Sequence, residues 1–90
     1  MEQEPLIDLM SSLYMTLAQY TSYKYIKLLE EHLLKFGKVD YGDDEEFKSH
    51  GLEFLKVAKQ TIHDMKARGD IRSTSVGKRL INHIRKGLND

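Results

Sequence analysis

Phe47, Gly51, Phe54, Ala58, Ile62 and Met65 follow one another at spacings of four, three, four, four and three, with Leu55 beside them. That is the period of one face of a helix, and a strand would alternate instead. A stripe this long implies a helix of about five turns, which must bury one side against other helices. Asp43 offers an N-cap, and Glu46 three residues later completes a capping box. Arg68-Gly69 is the natural stop. Gly51 and Ala58 are small residues on the stripe where a crossing helix can come close, Gly51 at a propensity cost of about 1 kcal/mol.

The only proline is Pro5, so nothing downstream interrupts helices. A first helix is expected from Pro5, with Leu6, Met10, Leu13 and Leu17 as its apolar stripe, widened by Ile7 and Tyr14. Tyr20-Thr21-Ser22-Tyr23 reads as a break with Ser22 as a new cap. No glycine or proline forces a turn there, and one rod from Pro5 to Phe36 stays open. Tyr25, Leu28, Leu29, His32, Leu33 and Phe36 form the face of a second helical stretch, with Gly37 as its C-cap and Lys38 to Asp44 as a loop. After a connector from Asp70 to Thr74, a short fourth helix capped by Ser73 or Ser75 is expected to turn Val76, Leu80, Ile81 and Ile84 inward and to stop at Gly87. The expected fold is all-α, a small helical bundle of three long helices plus a short C-terminal helix, arranged up-and-down as a single domain over residues 1–90.

Ninety residues supply one modest core and little room for a buried substrate cavity. With no cysteine there is neither a disulfide nor a thiolate ligand or nucleophile. The opening residues lack the basic start and apolar run of a signal peptide. No apolar stretch approaches the roughly 20 residues that span a bilayer, so a cytoplasmic protein without membrane contact is expected.

His32, His50, His63 and His83 are not spaced as ligands on one helix turn, and His32 reads as a partly buried core residue. The acidic run Asp40-Tyr41-Gly42-Asp43-Asp44-Glu45-Glu46 lacks the layout of a calcium-binding loop and reads as a helix cap. The serines sit in no nucleophile elbow, and Arg72 and Arg79 occupy places where a phosphate-binding loop needs glycine and a hydroxyl. No metal, cofactor or catalytic residue is expected. An enzyme would need a composite site such as His63 with Asp64 or Glu53.

Formal charge is zero, but the average hides an asymmetry. Residues 1–54 carry eleven acidic side chains against five lysines, and residues 55–90 carry nine basic against three acidic. Two halves of opposite sign suit either mutual packing or a dipolar molecule that presents one sign to a partner. The expected basic surface is Arg68, Arg72, Lys78, Arg79, Asn82, Arg85 and Lys86, chiefly the outer arc of the fourth helix. Five tyrosines exceed the needs of so small a core, and Tyr20, Tyr23 and Tyr41 are the expected contributors to a protein interface. The leading expectation is a non-catalytic adapter or regulatory module that binds a protein partner or, as a homodimer, its own copy through helix faces and charge. A nucleic-acid-binding protein using the basic C-terminal helix is the alternative.

Overall fold

A computed structural model describes residues 2–19, 25–38 and 42–89, giving only the backbone at 37, 38, 71 and 73. Its helices are α1 (Gln3–Ala18), α2 (Ile26–Lys38), α3 (Asp44–Ala67) and α4 (Ile71–Asn89), and the described residues contain no strand. The all-α bundle read from the periodicity is the fold. α1 and α2 are separate helices packed against each other, so the single rod is excluded.

α1 buries Leu6, Met10, Leu13 and Leu17, the four residues of its predicted stripe. It starts two residues ahead of the expected Pro5. Pro5 then falls at the third helical position, where its missing N–H still has no intrahelical acceptor to lose. α3 begins as predicted, with the Asp43 carboxylate accepting the Glu45 backbone N–H at 2.9 Å. It buries the whole stripe from Phe47 to Met65.

The fourth helix departs from expectation. It runs for 19 residues, longer than α1 or α2, because the turn that precedes it is very tight. Gly69 takes a φ of +87°, its N–H donates to the Lys66 carbonyl at 3.1 Å, and the Asp70 N–H reaches back to Met65 at 3.0 Å. These two crossed bonds close α3 over a left-handed residue. Asp70 at once becomes the N-cap of α4, its carbonyl accepting the Thr74 N–H at 3.2 Å. Ser73 and Ser75 therefore lie inside the helix and do not cap it. Gly87 is likewise no stop: α4 continues past it, and Leu6 of α1 packs on the space a side chain there would fill.

The helices run up, down, up and down. Leu88 and Gly51 meet at one end of the α3–α4 pair and Gly77 and Ile62 near the other, which makes that pair antiparallel. Leu6 against Gly87 and Leu17 against Gly77 do the same for α1 and α4. α1 packs against α2, α3 and α4, whereas α2 and α4 do not meet. The helices therefore form a ring in chain order, flattened so that α1 and α3 touch across the middle, with extents of 40 × 23 × 16 Å.

One apolar cluster serves all four helices. Phe36 stacks edge-on against Phe47 and Phe54, at centroid distances of 5.4 and 6.4 Å, and fastens α2 to α3. Among the described residues the buried polar side chains are Thr61 and Thr74, whose hydroxyls donate to the Val57 and Asp70 carbonyls at 3.0 and 2.8 Å. Leu28, expected in the core, is 40% exposed, because the buried direction of α2 is set by Ile26, Leu29 and Phe36.

Candidate functional site

The periodicity that buries α3 also determines which of its other residues border α4. Leu55 and Ile62 lie at the edge of the buried stripe, and the positions just outside them on the same flank are Leu52, Lys59 and Lys66. On α4 the residues flanking buried Ile81 and Ile84 are Lys78, Asn82 and Arg85. Antiparallel pairing through the short turn brings these two rows alongside.

The result is a groove on the outer side of the α3–α4 pair, made of two depressions. The first is lined by Leu52, Leu55, Lys56, Lys59, Gln60, His63 and Arg85. The second is lined by Lys59, Ile62, His63, Lys66, Lys78, Ile81 and Asn82. Lys59 and His63 belong to both, so the depressions join. From Lys56 to Lys66 the helix rises about 15 Å, and along that length the walls carry Lys56, Lys59, Lys66, Lys78 and Arg85 without one lining carboxylate. Arg85 is steadied by Asn82, whose side-chain oxygen accepts from its guanidinium at 3.1 Å. The floor is apolar, and Leu52 is its accessible part at 42% exposed.

The acidic groups lie elsewhere. Asp43, Asp44, Glu45 and Glu46 crowd the start of α3, where the helix dipole favours negative charge. Gln3 donates to Asp44 at 3.1 Å and ties the start of α1 to that end; this hydrogen bond holds the Asp44 carboxyl below its ordinary value. Glu2, Glu4 and Asp8 are exposed on and beside α1, which has no basic residue. On the α1–α2 side, burial first and then the Glu30 carboxylate push the Tyr14 phenol up from its ordinary value of 10.0.

The residues singled out in the sequence are distributed as follows. Arg68, Arg72, Lys78, Arg79, Asn82, Arg85 and Lys86 are all exposed. Lys78, Asn82 and Arg85 turn toward α3 and line the groove, while Arg72, Arg79 and Lys86 do not border it. Tyr20, Tyr23 and Tyr41 lie outside the described residues. His63 is brought to neither of its proposed partners: it faces the α3–α4 groove, Asp64 follows it about 100° around the helix, and Glu53 lines, with Tyr25, an adjoining depression that shares Lys56 and Gln60 with the groove but not His63. Among the described residues no three histidine, aspartate or glutamate side chains gather where a metal ion could be held, and no described helix is long and apolar enough to cross a membrane.

Sequence reading missed the α3 wall. Lys56, Lys59 and Lys66 attract little notice in a helix that also holds four carboxylates in its first turn and cap. The available signal was their placement beside the buried stripe, on the flank that a three-residue turn obliges α4 to occupy. No protein family, curated protein or solved structure matches the chain.

Proposed function

We propose that this chain is a non-catalytic interaction module that holds an acidic protein partner in the groove between α3 and α4. The observation that carries this reading is the pairing of five cationic side chains with an apolar floor and no lining carboxylate. Cations that face one another across a groove repel, and an anionic occupant relieves that repulsion while it gains the apolar contact. The stems of the lysines extend the apolar surface up the walls, leaving the ammonium groups at the rim. Catalysis finds less support, since His63, Asp64 and Glu53 do not converge on one pocket.

Titration of the isotopically labelled protein with polyglutamate at low salt, followed through backbone amide resonances, tests the reading. The expected result is shifts concentrated at residues 52–66 and 78–85, lost when Lys59→Glu and Lys78→Glu are combined. Nucleic acid is the competing reading, because α4 carries five basic side chains and no acidic one. A short DNA duplex that binds more tightly than polyglutamate, with shifts centred on Arg72, Arg79 and Lys86, would favour it and overturn the proposal.

A further inference from the structure

What already packs on α3 and α4 indicates what else they accept; the inference rests on the groove being a site for acidic protein. On their inner side these two helices receive α1. From Glu2 to Gln19 that helix and its caps contain no lysine or arginine, carry Glu2, Glu4 and Asp8, and bury Leu6, Met10, Leu13 and Leu17. The pair thus already holds one acidic amphipathic helix. On the outer side the same two helices present a second groove, and nothing in the chain's described residues fills it.

We infer that the outer groove takes an amphipathic acidic helix supplied by a partner protein. The basic walls run for about 15 Å, the length of about three helical turns. Two antiparallel helices leave a channel into which the side-chain ridges of a third pack. An apolar stripe on the incoming helix would lie on Leu52 and along the lysine stems. Its flanking glutamates or aspartates would meet Lys56 and Arg85 at one end and Lys66 and Lys78 at the other. A nucleic-acid chain would gain nothing from that floor, since phosphates are held by cations and bases by stacking platforms, and the groove offers no aromatic ring besides the His63 imidazole.

The test uses two labelled peptides of about 15 residues, built from the same leucines, alanines and glutamates. One places the leucines on a single helical face, and its isomer scatters them. Each is titrated into the full chain by fluorescence anisotropy at low salt. The one-faced peptide is expected to bind about tenfold more tightly. Leu52→Gln, at an exposed position, should remove that preference without unfolding the protein, and Lys59→Glu with Lys78→Glu should weaken both peptides. Equal binding of the two isomers would overturn the helical occupant and leave the acidic-protein groove standing. Binding of neither overturns both readings. A short DNA duplex that binds more tightly than the one-faced peptide also overturns both. A salt-sensitive dimer in sedimentation, abolished by Lys59→Glu, would identify a second copy as the occupant and overturn the partner helix.

Discussion

Leu88 of α4 rests directly on the backbone of Gly51 in α3: a Cβ at that glycine would stand 2.8 Å from both Leu88 δ-methyls and 3.3 Å from Met10 Cε. Ordinary carbon contacts are near 3.5–4.0 Å. α1, α3 and α4 therefore converge at this point only because position 51 has no side chain, and Leu88 and Met10 are both fully buried. Gly51→Ala gains about 1 kcal/mol of helix propensity, set against an overpacking cost of typically 1–3 kcal/mol. A net loss of about 1 kcal/mol in unfolding free energy is expected, measured by urea denaturation. Combined with Leu88→Ala, the same change should cost less than the sum of the two single losses, because the added methyl enters the vacated space. Strict additivity would contradict the contact.

Gly69 poses a different constraint. Nothing lies within 4 Å of a Cβ built there, but its φ of +87° is left-handed. Gly69→Ala should destabilise the fold by about 1–2 kcal/mol through the backbone alone. Gly42 is equally open and has no such φ, so Gly42→Ala provides the control and should be nearly neutral. Equal effects at the two positions would show that the turn does not depend on its left-handed residue.

Tyr14 gives stability an alkaline edge. Its phenol is raised above 10.0 in the folded protein by burial and then by Glu30. As pH climbs through 10, the unfolded chain releases this proton while the native state still holds it. The native state then binds more protons, and its stability falls. The contribution is intact below that pH and is lost as pH rises through the folded value. Tyr14→Phe has no proton to lose, so the wild type should lose ground to it between about pH 9 and pH 11, as followed by chemical denaturation. Parallel pH curves would place Tyr14 outside this linkage.

Lys66 of α3 and Lys78 of α4 line the same depression from opposite helices. With no partner bound, their repulsion should make Lys66→Gln stabilising by about 0.3 kcal/mol at low ionic strength. The gain should vanish near about 0.5 M salt, where charges are screened over a few ångströms. A stabilisation indifferent to salt would point to packing and not to charge.

Much of the fold was legible because its information is local. Leu6 to Leu17 and Phe47 to Met65 repeat with the helical period, and that period names the buried face before any partner is known. Asp43 and Gly69 likewise act on backbone groups within a few residues of themselves. Gly87 was misread for the same reason: by local rules a glycine near the end of a helix is a stop. Only the packing of Leu6 reveals that it is a point of close approach.

The functional surface was half legible. Lys78, Asn82 and Arg85 stood out because α4 has no acidic residues to mask them. Lys56, Lys59 and Lys66 did not, since their helix opens with carboxylates and averages toward neutrality. Helical period and caps were thus written in the sequence, because they depend on neighbours along the chain. Tertiary structure alone decided that the lysines of α3 face the cations of α4 across an apolar floor. Charges some twenty residues apart become neighbours only when the turn at Arg68 to Asp70 folds one helix back along the other.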